Sequence, residues 1–179
     1  MAGAGFSAAD AERWIPRLRR YALALTGNRE AADDLTQDTL ERAWRKRALW
    51  QPGSDLRAWL FTVMHNVYVN GVRSSRTTES LDEQGTAAEA VRAMQAESAA
   101  EGGIVLSELR TALASLAPEQ REVVLLVGLE QMSYVEAATV LEVPIGTVMS
   151  RLSRGRERLR LLLDASMRSP GGASLRRVK

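Results

Sequence analysis

Apolar residues recur at helical spacing in both halves of the chain, and the pattern lapses between residues 75 and 103. Trp14, Leu18, Tyr21 and Leu25 stand four, three and four apart. With Ser7 and Asp10 placed to cap the start and Gly27 to end it, they predict a first helix. Asn28 is placed to cap a second, which carries Ala31, Leu35, Ala43 and Trp44 towards a core and runs to about residue 48. The run from Gln51 to Asp55, QPGSD, is turn chemistry, because Pro52 and Gly53 break helices and Ser54 or Asp55 can cap a new one. A third helix then spans residue 56 to about 74, with Trp59, Leu60, Val63 and Val67 on one face.

The second half repeats the logic with different residues. Leu106, Leu109, Leu113 and Leu116 are spaced three, four and three, as on a buried helix face. Pro118 opens another helix through Val123, Val124, Leu126 and Val127, since a first-turn proline lacks only a donor that has no partner there. Ser133 and Glu136 form a capping-box pattern before a short helix ending near Leu141. Glu142, Val143 and Pro144 make a tight break, and a long helix runs from residue 145 to about 163. Short helix, tight turn and long helix together are helix-turn-helix geometry.

Between these halves, Ser, Thr, Glu, Ala and Gly replace the large apolar residues, as in a linker. A weak helix over residues 87–100 is compatible with the alanine and glutamate there. The expected fold class is therefore all-α: a helical domain over 9–76, a flexible acidic linker over 77–103, a second helical domain over 104–165 and a disordered basic tail over 166–179.

Composition removes several functional classes. The chain has 45% hydrophobic and 26% charged residues and no apolar run near the roughly 20 residues of a membrane span, so no membrane insertion is expected. Its start, MAGAGFSAADAERW, lacks the pattern of a signal peptide, which fits a cytoplasmic protein. With no cysteine, disulfides and thiolate metal sites are excluded. His65 is the only histidine and has no evident nucleophile or carboxylate set around it, and no glycine-rich phosphate loop occurs. No catalytic residue, metal site or cofactor is expected.

Charge separates the ends from the middle. Residues 144–179 hold nine basic side chains against Glu157 and Asp164, a net +7, whereas residues 75–103 are −4. A basic end suits a polyanion such as DNA. On the long helix, Ile145, Val148, Leu152, Leu159 and Leu162 form an apolar stripe, and a rotation of 100° per residue puts Thr147, Ser150, Arg151, Arg154 and Arg158 on the far side. Arginine can bond a guanine edge through two donors, and small hydroxyl residues let a helix approach phosphates closely. An ordinary solvated face on an arginine-rich helix would show the same pattern.

The run LAPEQREVVLLVGLEQMSYVEAATVLEVPIGTVMSRLSRGRERL resembles the C-terminal domain of extracytoplasmic-function (ECF) sigma factors. In the first half, DDLTQDTLERAW resembles the family's polymerase-binding helix, and SDLRAWLFTVMHNVYVNGVR the helix that meets the opened −10 element. The matches fall in the family's order with an acidic linker between them. The resemblance implies that Asp34, Gln37, Asp38 and Glu41 face core RNA polymerase at its β′ clamp helices, with the second half meeting the β flap. It implies that Trp50, Gly53, Ser54, Asp55, Asn66, Asn70 and Arg73 serve the −10 strand, and that Thr147, Ser150, Arg151, Arg154 and Arg158 serve the −35 duplex. Amides suit the first task because they both donate and accept, as reading a base edge requires. Arg57 and Arg76 join Arg73 as candidate phosphate contacts, and Trp59 and Trp44 are expected in the core. Resemblance also implies a controlling anti-sigma factor and a linker that threads polymerase. Met149 departs from the pattern, since many relatives carry a basic residue there.

Two rival readings remain open on the residues alone. One is a dimeric helix-turn-helix regulator that binds duplex DNA unaided, and the other is a protein-interaction module whose basic helix serves solubility.

Overall fold

A computed structural model describes residues 5–79 and 104–168, with side chains placed for 5–72 and 108–165. All of the regular structure among the described residues is helical. The possible helix over 87–100, most of the linker and the basic tail lie outside the described residues.

The first half is built on three helices and a short entry helix. α1 (Ala8–Glu12) starts at a capping box, in which the Ser7 side chain accepts from the Asp10 backbone N–H and the Asp10 carboxylate accepts from the Ser7 N–H at 3.0 Å. One continuous helix was expected here, but α2 (Ile15–Thr26) begins afresh after Trp14. Pro16 explains the break, because it has no N–H to give the preceding turn and its ring disfavours helical geometry just before it. Gly27 ends α2 in the left-handed region at φ 73°, its N–H donating to the Leu23 carbonyl.

Asn28 then accepts from the Ala31 N–H at 2.9 Å and caps α3 (Arg29–Arg45). Leu18, Tyr21 and Leu25 of α2 pack with Ala32, Leu35 and Ala43 of α3. Thr36 and Thr39 are also buried, and each hydroxyl donates to the carbonyl four residues back. A 3₁₀ turn (Arg47–Leu49) and the exposed loop lead to α4 (Leu56–Glu79), which buries Leu60, Phe61, Val63 and Met64.

Trp44 is not in this core. It is 45% exposed, with the Arg47 guanidinium 4.4 Å over its ring. The residue that fills the space is Phe6, which contacts the rings of Trp44, Trp50 and Trp59 at centroid distances of 6.4, 6.1 and 5.5 Å. Ala31 is likewise exposed.

The second half comprises α5 (Ile104–Ala114), α6 (Pro118–Gly128), α7 (Tyr134–Leu141) and α8 (Ile145–Arg168). Leu113, Leu116, Val123, Leu126, Met132, Ala137, Val140, Val148 and Leu152 form its core, while Leu109 is exposed at the rim. The predicted capping box at α7 is present, with the Ser133 N–H donating to the Glu136 carboxylate at 2.7 Å. Glu142 ends α7 in the left-handed region at φ 53°, which turns the chain sharply into α8. α8 crosses α6 closely at Gly155, where an added Cβ would stand 2.8 Å from Val124 Cγ2.

The halves pack against each other: α2 lies on α5 and α6, and α4 lies on α7. Buried apolar residues of both halves belong to one hydrophobic cluster, and polar contacts also cross the seam. Arg121 of α6 donates to the Leu25 carbonyl of α2 at 2.8 Å, and His65 Nδ1 of α4 lies 2.7 Å from Glu122 Oε1 of α6.

Candidate nucleic-acid and polymerase interfaces

The chemistry of α8 follows from which way its stripe faces. Val148 and Leu152 are buried against α6 and α7, which turns Arg154 and Arg158 to solvent and leaves Thr147, Ser150 and Arg151 half-buried. Ser150 donates to the Thr147 carbonyl at 3.0 Å, so its hydroxyl keeps only acceptor capacity and a rotation away from that bond. Arg151, Arg154 and Arg158 have no ion pair among the described residues, whereas Arg160 is held by Glu157 at 2.8 Å. With Arg156, which is also unpaired, four cationic groups on this helix stand without a partner among the described residues. The stripe itself is imperfect at its start, since Ile145 is 45% exposed.

α3 shows the opposite polarity. Leu35, Thr36 and Thr39 face inward, so Asp34, Gln37, Asp38 and Glu41 are all exposed. Glu41 pairs with Arg45 at 3.2 Å and accepts from the Gln37 amide at 3.3 Å. Asp34 and Asp38 have no partner among the described residues, while neighbouring Asp33 is tied to Arg19 at 2.6 Å. The free acidic surface is thus centred on Asp34 and Asp38.

The third group is scattered over a loop and a helix. Trp50 is half-buried against Phe6, and its indole Nε1 is buried with no hydrogen-bond partner. Gly53 sits at φ 90° with open space around it, a conformation that favours glycine. Ser54 donates to the Gln51 carbonyl at 2.7 Å, and Asp55 is spent on capping α4, its Oδ1 accepting from the Arg57 N–H at 2.8 Å and the Ala58 N–H at 3.3 Å. Asn66 and Asn70 are exposed one turn apart. The Asn66 amide reaches the Glu142 carboxylate at 3.5 Å. Arg73 lies on α4, and its side chain, like that of Arg76, falls outside the described residues.

Arg57 does not stand ready for a phosphate. Its Nη2 donates to the Glu130 carbonyl at 2.9 Å and its Nε is buried without a partner. It belongs to a cluster that periodicity could not reveal. Glu130 has no exposed side-chain surface; Arg17 Nε bonds its Oε2 at 2.9 Å and Arg20 Nη2 its Oε1 at 3.0 Å. Burying a carboxylate is costly unless cations meet it, and two guanidinium groups do. The only sequence signal was a lone acid between Leu129 and Gln131 just past an apolar helix.

Residues 12–65 match the family described as the Sigma2 domain of PhyR, and residues 106–159 match Sigma-70, region 4. The ECF RNA polymerase sigma factor EcfG of Rhodopseudomonas palustris is 39% identical over 149 residues, covering 83% of this chain and 80% of that protein. The chain belongs to the ECF RNA polymerase sigma factors. The sigma factor SigL of Mycobacterium tuberculosis is 36% identical over 151 residues, covering 82% of each protein. Among solved structures, the sigma factor RpoE in complex with the anti-sigma factor NepR from Bartonella quintana is 31% identical with a TM-score of 0.72, covering 87% of this chain and 95% of that one. The matched regions of this sigma factor are those that carry its acidic α3 face and its basic α8 face.

Among the described residues, no helix is long and apolar enough to cross a membrane, and no group of three or more His, Cys, Asp or Glu is placed to hold a metal ion.

Proposed function

We propose that this sigma factor divides promoter recognition between its halves and takes no chemical step itself. Asp34, Gln37, Asp38 and Glu41 of α3 engage core polymerase. Trp50, Gly53, Ser54, Asp55, Asn66, Asn70 and Arg73 receive the separated −10 strand, and Thr147, Ser150, Arg151, Arg154 and Arg158 grip the −35 duplex. The domains that carry these roles are residues 9–76 and 104–165. The observation that carries the reading is the pairing, in one chain, of an acidic exposed helix face at Asp34 and Asp38 with an unpartnered arginine face on a helix-turn-helix. The first fits a basic protein surface and the second fits a phosphate backbone.

Such a factor acts in the cytoplasm, where polymerase and genome are. A structural relative is bound by an anti-sigma factor, and we infer the same kind of control here. Purified chain added to core polymerase gives run-off transcripts from specific starts on genomic DNA under this reading. Retardation of duplex DNA by the chain alone, with no transcript in the presence of core enzyme, refutes it in favour of an independent regulator.

A further inference from the structure

We propose that the seam between the two halves is an intramolecular latch, in which Glu130 of the second half is the built-in ligand of an arginine site on the first, and that promoter binding requires it to open. The proposal rests on the functional reading above for its consequence, though not for its geometry.

The site is formed by Arg17 and Arg20 of α2 and Arg57 of α4. Arg17 is braced by lying 5.4 Å over the Trp14 ring, and it also donates to the Glu130 carbonyl at 3.3 Å. All three guanidinium groups thus converge on one residue from the other half, and its carboxylate is fully buried between them. Two further carboxylates of the second half reach α4: Glu122 meets His65, and Glu142 meets Asn66. The carboxylates of these contacts come from the second half and their basic or amide partners from the first, while Arg121 of the second half reaches only a backbone carbonyl.

Closure and promoter engagement exclude each other on distance. α4 packs on α7, and α7 packs on α8. Two such helix contacts separate axes by about 20 Å. The −10 and −35 elements are roughly 25 base pairs apart, and at ~3.4 Å each they stand ~80 Å apart along the duplex. A chain holding both cannot keep α4 and α8 together. Closure also gives Asn66 to Glu142, and a carboxylate beside a base-reading amide repels an incoming phosphate. The fraction of chains open in solution therefore scales the apparent affinity for promoter complexes.

The absence of cysteine makes the test direct. Spin labels at Ala31→Cys and Thr139→Cys, both on exposed helical positions of opposite halves, report their separation in the full chain. The latch predicts a single narrow distance distribution for the free protein, which lengthens when core polymerase and promoter DNA are added. Glu130→Gln should shift the closed-to-open ratio by about tenfold towards open, because charge-assisted bonds to both arginines are weakened. It should also lower the concentration needed for half-maximal run-off transcription by a similar factor. Arg20→Ala removes one arm from a half-exposed side chain while Glu130 and its Arg17 bond stay in place, and it gives the same direction, so a folding defect in the first variant does not decide the matter. A broad distribution in the free parent, or unchanged distances in both variants with intact helix content, overturns the latch. Loss of all promoter-specific transcription with a normal distance distribution overturns the functional reading instead.

Discussion

Arg121 of α6 ties the ends of α5 and α2 together, and its removal should be among the most costly single changes outside the apolar core. Its Nε donates to the Leu113 carbonyl at 2.8 Å, its Nη2 to the Ala114 and Leu116 carbonyls at 2.6 and 3.2 Å, and its Nη1 to the Leu25 carbonyl at 2.8 Å. These are carbonyls that the ends of α5 and α2 cannot satisfy internally. Burial lowers the pKa of this guanidinium from its ordinary value, and the bonds it donates hold the charge in place. In Arg121→Ala, Leu113 keeps the Leu116 N–H as a partner, which leaves three carbonyls without a donor. At about 1 kcal/mol each, and with about 0.5 kcal/mol of favourable charge at a helix C-terminus also lost, the change costs about 3 kcal/mol. Relief of the buried cation's desolvation is why the sum is set no higher.

The assay is urea unfolding followed by two signals. With a slope of about 2 kcal/mol per molar urea, the midpoint should fall by about 1.5 M. All four tryptophans, Trp14, Trp44, Trp50 and Trp59, lie in the first half, so their fluorescence reports that half while circular dichroism reports both. Both midpoints should fall, because the Leu25 bond crosses the seam. Arg121→Lys should recover only part of the loss, since an ammonium lacks the planar fork that reaches several carbonyls at once. A cost under about 0.5 kcal/mol in the alanine variant would show that water serves these carbonyls, and the reasoning would fail.

Ser133→Ala should cost about 1 kcal/mol by uncapping α7. Hydrogen bonds from Ser133 lower the Glu136 pKa, so in the parent this cap stabilises fully above the ordinary glutamate value of 4.5 and fades as pH falls through the lower folded value; thermal melts between pH 5 and about pH 3 should show that slope in the parent and a weaker one in the variant. Gly155→Ala should lower the melting temperature by several degrees, because overpacking against β-branched Val124 costs about 1 to 3 kcal/mol and exceeds the gain in helix propensity of about 1 kcal/mol; an unchanged or raised melting temperature contradicts the close approach. Arg154→Ala should reduce the salt slope of −35 duplex binding by the holoenzyme by about one, with unaltered helix content. Asp38→Lys should weaken association with core polymerase by about tenfold in a binding titration and leave thermal stability within about 0.5 kcal/mol of the parent.

Local rules carried most of the architecture. Gly27, Asn28, Pro118, the Ser133 and Glu136 pair and the break at Glu142 all act through neighbours within a turn, and the helix ends they marked are where the chain bends. Periodicity failed where a residue's surroundings come from afar. Trp44 has the spacing of a core residue, yet Phe6 reaches in from outside the first helix and takes the space beside it. Pro16 split a pattern that its apolar neighbours continued through. The candidate site was legible as sets of residues on faces, because exposure follows from the stripe on the opposite side. Which of those residues are already engaged was not, since Arg57, His65 and Asn66 find partners 57 to 76 positions away.

The composition of the seam bears on why it can act as a latch at all. Buried apolar residues of the two halves belong to one cluster, and separating them exposes surface that water disfavours, which favours closure without giving it direction. Here the strongest contacts are guanidinium to carboxylate or carbonyl, and the arginines remain partly exposed even while Glu130 is fully buried. Arginines and carboxylates recover good hydration when the halves part, so opening costs far less than the number of bonds suggests. The same groups are unforgiving of a single missing partner, because a buried carboxylate without its cations has neither water nor charge to hold it. A seam of that kind holds closed as a unit and opens as a unit, so under the proposed latch α4 and α8 are kept from spanning two distant sites together until the halves part, even though the arginine face of α8 stays exposed.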